Sequence, residues 1–231
     1  MQLICFSYAG RGASVYSTWA KLLSPSVTIR AVQLPGRENR FSEPCIKRIS
    51  DLMPELVKAL QSRLTQPFAL FGHSMGALIC FELARELRRQ NLPEPVHLFL
   101  SAHRAPHLPD PYPPIAHLSE EEFVEEVQRR YGGIPEPVKQ SKELMEIMIP
   151  VLRADFEMLE NYQYVMEEPL FCPITVLGGF EDFETTDAEL EAWQLHSRKV
   201  FDLKLFPGDH FFLQTSQSEL LGFLNKKLST L

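Results

Sequence analysis

The sequence predicts an α/β protein: a mainly parallel sheet with helices on both faces and an inserted helical lid. Three observations predict it. Short apolar runs alternate with helical stretches over most of the chain. The runs are near-continuous in apolar residues, as expected of strands buried on both faces. One run, Phe68–Phe71, passes straight into a helix through Gly72-His73-Ser74-Met75-Gly76, a G-x-S-x-G turn in a strand–turn–helix setting. The 231 residues, 45% of them hydrophobic, suffice for one sizeable core. A single domain is expected over 1–231, with its core in 1–104 and 165–231 and the lid over about 105–164.

Leu3 to Tyr8 is apolar and ends in Ala9-Gly10-Arg11-Gly12, a buried strand followed by a turn. Ser14 to Leu23 carries Val15, Trp19, Leu22 and Leu23 at helix-like spacing, closed by Ser24-Pro25. Val27 to Leu34 reads as a strand, and Arg37 to Arg48 as a polar, basic loop. Ile49 to Leu64 is an amphipathic helix. After the strand and elbow at Ser74, Met75–Gln90 is a helix with Leu78, Phe81, Ala84 and Leu87 on one side, and Val96 to Ala102 is the next strand. Prolines between Pro106 and Pro114 make a stiff crossing. Ser119-Glu-Glu-Glu122 is a capping box opening a helix with Phe123, Val124, Val127 and Tyr131 inward, stopped by Gly132-Gly133. Glu143 to Tyr162 is helical, broken or kinked at Pro150. As a lid or as a subdomain packed on the core, this insertion would show the same apolar face. Pro173 to Leu177 resumes the sheet, Thr186-x-x-Glu189 caps a helix through Leu195, Val200 to Phe206 is the last strand, and Ser216-x-x-Glu219 opens the last helix.

A net charge of −7 argues against general nucleic-acid binding, which needs a basic face. No apolar run approaches a membrane span, and no signal peptide is expected at the N-terminus. Cys5, Cys45, Cys80 and Cys172 are scattered without C-x-x-C spacing, so free thiols of a reducing cytoplasm are expected, not disulfides or zinc ligands.

Ligands of open α/β sheets bind at the carboxyl ends of the strands. Those ends carry Tyr8-Ala9-Gly10, Ser74, Asp182 and His210, and the order Ser…Asp…His is that of the α/β-hydrolase fold. Ser74 is the candidate nucleophile, His210 the base that takes its proton, and Asp182 the acid that fixes the imidazole tautomer. The backbone N–H groups of Met75, at a helix N-terminus, and Ala9 are the candidate oxyanion donors. Asp155 is the rival acid, although it falls within a predicted helix. His73 reads as a packing residue, and Glu181 and Asp209 as solvated loop charges.

Further motifs accompany the elbow: Phe6-Ser-Tyr-Ala-Gly10, Leu34-Pro-Gly-Arg37, Phe81-Glu-Leu-Ala-Arg-Glu-Leu87, Leu152-Arg-Ala-Asp-Phe156, Tyr162-x-Tyr164, Pro169-Leu170, Cys172-Pro173 and Gly208-x-His-Phe-Phe-Leu213. Together they resemble the type II thioesterases, the stand-alone editing enzymes of nonribosomal peptide and polyketide synthases. The resemblance implies an α/β-hydrolase fold with a helical lid, and hydrolysis of acyl thioesters from the phosphopantetheine arm of acyl or peptidyl carrier protein domains. It points to the same triad and oxyanion donors. It implies no metal and no bound cofactor, the arm arriving with the substrate. A monomer is expected, docking its acidic carrier through a basic patch of Arg37, Arg40, Lys47 and Arg48. A chain-releasing thioesterase, a carboxylester hydrolase and a non-catalytic carrier binder are the competing readings. The chain departs from the family pattern at Ser7, where proline is usual, and at Arg11, where glycine is usual. It also begins almost on the first motif, so an edge strand is expected to be missing or to lie upstream.

Overall fold

The computed structural model describes residues 1–231 except Gly133 and Pro135, so the second half of the predicted Gly132-Gly133 stop lies outside the described residues. Among the described residues six strands form one sheet: β1 (Gln2–Phe6), β2 (Thr28–Ala31), β3 (Phe68–His73), β4 (His97–Ser101), β5 (Ile174–Gly179) and β6 (Phe201–Phe206). Their order is β2-β1-β3-β4-β5-β6, and each pairing is parallel. The four central strands are buried along their whole length, whereas β2 and β6 are half-exposed edges. This is why the central runs read as continuous apolar blocks.

Side chains alternate between two core layers. Ile4, Phe6, Leu70, Leu98, Leu100, Ile174 and Val176 face α1 (Ile49–Leu60) and α2 (Met75–Arg89). Leu3, Cys5, Phe71 and Phe99 face the other way, onto Tyr16, Trp19 and the C-terminal helices α7 (Phe212–Thr215) and α8 (Gln217–Leu228). α2 runs across the centre and is so buried that two charged residues go under with it. Arg85 pairs with Glu82 at 2.5 Å, and the Tyr162 hydroxyl donates to Glu82 at 2.8 Å. Cys5, Cys80 and Cys172 are buried free thiols and Cys45 is half-buried.

Between β4 and β5 lie α3 (Glu120–Tyr131), α4 (Glu136–Lys139) and α5 (Lys142–Glu160). They have a small core of their own, from Phe123, Val127, Ile149, Leu152 and Phe156, and it reaches Ala9 at the sheet edge. Ser119 and Glu122 close the predicted capping box, and Gly132 ends α3 in the left-handed conformation. α6 (Asp187–Glu191) begins with the second box, Thr186 and Glu189.

One expectation needs correction and two need refining. Ser14–Leu23 is not a helix but two 3₁₀ turns, Ala13–Tyr16 and Trp19–Lys21, which bury Tyr16 and Trp19. α5 is not broken at Pro150: the helix runs through it, its flanking Ile149, Val151 and Leu152 all buried. Ser216 precedes the last helix but makes no capping bond; its hydroxyl donates to Pro207 O at 2.6 Å. No helix of the described residues is long and apolar enough to cross a membrane.

Candidate active site

The register carries the C-terminal ends of β1, β3, β4, β5 and β6 to one edge, pairing Phe6 with Gly72, His73 with Ser101 and Gly179 with Phe206. Ser74 sits between β3 and α2 with φ +53° and ψ −119°, a conformation that costs a non-glycine residue about 1–3 kcal/mol. Its N–H donates to Ser101 O at 2.7 Å. The flanking glycines are dictated by crowding. A Cβ at Gly72 would lie 2.0 Å from Gly76 O, and one at Gly76 would lie 2.2 Å from Phe6 O. Both obstacles are backbone and cannot swing aside. Gly76→Ala is therefore expected to destabilise the fold by about 3 kcal/mol, at the upper end of overpacking costs, read as a lowered urea midpoint. A midpoint equal to wild type would contradict this packing.

Ser74 and His210 line the same two cavities. His210 follows β6, and its Nδ1 lies 3.0 Å from Asp182 Oδ2, with both side chains buried. Asp182 is anchored by its own turn: Glu184 N–H donates to Oδ1 at 2.9 Å and the Thr185 hydroxyl to Oδ2 at 2.8 Å. Burial alone would raise the Asp182 carboxyl. The hydrogen bond and charge of His210, with the two turn donors, outweigh it and hold the group below the ordinary carboxylate range. Glu184, itself buried, is pushed the other way by desolvation. Met75 N–H belongs to the first turn of α2, whose donors have no partner within the helix. Ala9 lies in the turn after β1, on the cavity wall.

His73 does more than pack. Its Nδ1 lies 2.8 Å from Ser101 Oγ and its Nε2 2.8 Å from His210 O, so it joins the elbow strand to the backbone of the histidine loop. Burial, with the neighbouring His210, lowers its pKa from 6.5 to about 3. The folded state therefore binds fewer protons than the unfolded chain between these values, and stability falls as pH falls below about 6.5. From pH 7 to pH 5 this histidine alone is expected to remove about 2 kcal/mol. His73→Gln should lose that much less over the same interval in urea titrations; an unchanged pH dependence would contradict the assignment.

Asp155 is not free to act as the triad acid. It is fully buried in α5, its two oxygens held by the Arg37 guanidinium and by Gly10 N–H. The same pair corrects the docking patch: Arg37 is 5% exposed and faces inward. Arg40 pairs with Glu43, Lys47 with Glu157, and Arg48 is exposed. Glu181 and Asp209 are exposed, as expected. The two departures from the family pattern touch each other, Ser7 Oγ donating to Arg11 O at 2.8 Å.

The cavities differ in character. One, of about 50 Å³, lies under Ala9 and is walled by Val127, Ile134, Met148, Leu152 and Phe156. The other, about 350 Å³, is lined by His103, Arg104, Asp110, Tyr162, Tyr164 and Glu184. Sequence reasoning missed Arg104, Glu184 and Thr185. Thr185 was findable, because Asp-x-x-Thr after a strand is an Asx-type turn that orients its own carboxylate.

A parallel sheet with a strained serine elbow, and a histidine–aspartate pair from two later strand ends, defines the α/β-hydrolase class. The thioesterase domain family matches residues 1–228. Linear gramicidin dehydrogenase LgrE of Brevibacillus parabrevis is 44% identical, over 99% of this chain and 88% of its own. Gramicidin S biosynthesis protein GrsT of Aneurinibacillus migulanus is 41% identical, over 99% and 89%. The solved structure of the type II thioesterase BorB from the borrelidin biosynthetic cluster superposes with a TM-score of 0.88 at 37% identity, over 97% and 91%. The chain belongs to the thioesterase family and is a hydrolase of thioester bonds.

Proposed function

We propose that this protein is an editing thioesterase that removes aberrant acyl groups from the phosphopantetheine arms of carrier domains in a nonribosomal peptide or polyketide synthase. The observation that carries the reading is an elbow serine sharing its cavities with an imidazole already bonded to a buried carboxylate. The kinship with GrsT and BorB supports the choice of acyl donor. His210 takes the proton of Ser74 Oγ, which attacks the thioester carbonyl. The N–H groups of Ala9 and Met75 hold the oxyanion, the pantetheine thiol leaves with a proton from His210, and water activated by His210 releases the acid. Nucleophile, base and oxyanion donors are all groups of the chain, so the reaction calls for no cofactor. The small apolar cavity suits a short acyl chain, and the wide polar one suits the amide-bearing arm. The insertion α3–α5, whose core reaches Ala9, is the lid over this site. Of the predicted patch, Arg48 and the outward-facing Lys47 and Arg40, each beside a glutamate, form the basic surface offered to an acidic carrier. The protein acts as a monomer in the cytoplasm, where its free thiols stay reduced.

The name of LgrE raises a dehydrogenase reading. A dinucleotide site needs G-x-G-x-x-G running from a strand into a helix. Here Gly10-x-Gly12 is followed by Val15 at the third position and by 3₁₀ turns. The deciding experiment ranks kcat/KM for an acetyl-carrier protein, the matching acyl-coenzyme A and a simple ester. Preference for the carrier substrate is expected. Equal or better turnover of the simple ester would make the protein a general ester hydrolase.

A further inference from the structure

Two of the sequence motifs supply no reacting group to the chemistry above: Leu34-Pro-Gly-Arg37 and Leu152-Arg-Ala-Asp-Phe156, whose Leu152 and Phe156 only wall the small cavity. They meet in the interior. The Arg37 fork grips Asp155 through both oxygens, Nη1 to Oδ2 at 2.6 Å and Nη2 to Oδ1 at 2.7 Å. Asp155 Oδ2 also accepts Gly10 N–H at 2.7 Å, and Arg37 Nη1 also donates to Arg11 O at 3.2 Å. Both members of the pair therefore reach the loop after β1 that carries Ala9.

That loop is a β-turn. Arg11 N–H donates to Tyr8 O at 3.2 Å, and Gly10, third of the four residues, has φ +75°. Positive φ at that position, without positive φ at Ala9, is the type II arrangement. The peptide between Ala9 and Gly10 distinguishes type II from type I, and with glycine third it can flip at little steric cost. Gly10 N–H belongs to that peptide. A carboxylate accepting it selects one orientation, because the flipped peptide would turn Ala9 C=O toward a negative charge. The turn also lies against the helix that bears Asp155: a Cβ on Gly10 would sit 2.8 Å from Leu152 Cδ1.

We propose that the Arg37–Asp155 pair is a positioning device for the oxyanion hole. Asp155 holds the central peptide of the Tyr8–Arg11 turn in one orientation against α5, and so anchors the turn whose preceding peptide, Tyr8–Ala9, carries the Ala9 N–H. Arg37 orients the carboxylate and holds the far end of the turn. The geometry of the hole is thereby tied to α5, a helix of the inserted segment. This inference rests on the reading of Ala9 as an oxyanion donor.

Stability and positioning can be separated, because a buried ion pair replaced whole by apolar residues often leaves a protein as stable as before, whereas removing one partner strands a charge. The test compares Arg37→Met/Asp155→Leu with Arg37→Met/Asp155→Asn, using acetyl-carrier protein as substrate. The Leu double variant should melt close to wild type yet lose ~10²-fold in kcat, the cost of a misplaced oxyanion donor, with little change in KM. The Asn double variant keeps an acceptor for Gly10 N–H and should recover at least about tenfold of that loss. Arg37→Lys, which keeps the charge but not the fork, guards against failure of the doubles to fold. It should lower kcat about tenfold and leave KM near wild type. Affinity for a trifluoromethyl ketone analogue, which needs the oxyanion hole, should fall in step with kcat. A Leu double variant that turns over at the wild-type rate, or losses in KM alone, would overturn the positioning role. Ser74→Ala run alongside keeps the two readings apart: if it stays active, the site assignment itself is wrong. If it is inactive while the double variants keep wild-type kcat, only the positioning role is wrong.

Discussion

Ser74→Ala is expected to lower turnover of an acyl-carrier thioester by at least ~10³-fold while the protein folds normally. The expectation follows from where the strain is held. Ser74 keeps φ +53° because Gly72 and Gly76 let β3, α2 and β1 close around it, and its N–H is tied to Ser101 O. Alanine has the same Cβ and fits the same backbone. The substitution removes the Oγ and little else. No acyl-enzyme can form, and the residual rate is what oriented water achieves beside the remaining groups. Single-turnover assays with a melting curve measure both parts. A rate equal to wild type would remove Ser74 from the mechanism.

Asp182→Asn should cost ~10⁴-fold in kcat, more than a simple weakening of one hydrogen bond would. The Asx-type turn decides the outcome. Glu184 N–H points at Oδ1, so the asparagine oxygen is held there and its NH₂ is placed where Oδ2 faces His210 Nδ1. That amide then donates to Nδ1. The imidazole is forced into the tautomer that carries its proton on Nε2, where it cannot accept one from Ser74. The Thr185 hydroxyl can rotate to accept, so the turn survives and the protein still folds. Retention of more than about a tenth of the activity would mean that Asp182 is not the tautomer-fixing acid.

Much of this was legible in the sequence because it is local. The elbow needs glycine on both sides of a serine, and both capping boxes are four-residue patterns; each holds. The apolar blocks of β1, β3, β4 and β5 register burial on two faces. What escaped depends on residues distant in the chain. Arg37 looks like a solvated charge until Asp155, 118 residues later, is folded against it. At Tyr16 and Trp19, aromatic spacing fits a helix, yet burial against Phe71 is satisfied by two short turns instead. Pro150 carries a local penalty of about 3 kcal/mol, and the buried residues on either side of it keep the helix whole. Ser216 has capping-box spacing, but Pro207 O takes its hydroxyl.

The burial of the cysteines has a practical consequence for measuring this enzyme. Thioester hydrolysis releases a pantetheine thiol, which a chromogenic disulfide reagent reports continuously, provided the protein's own sulfur stays silent. Thiolate is the reacting form. Burial raises Cys5 and Cys80 far beyond the usual thiol range and lifts Cys172 to about 12, so none offers thiolate near neutral pH. Cys45, half-buried and also raised, leaves at most one slowly titrating equivalent per chain. The reagent can therefore sit in the cuvette with the enzyme throughout, and each mole of colour beyond that first equivalent counts product.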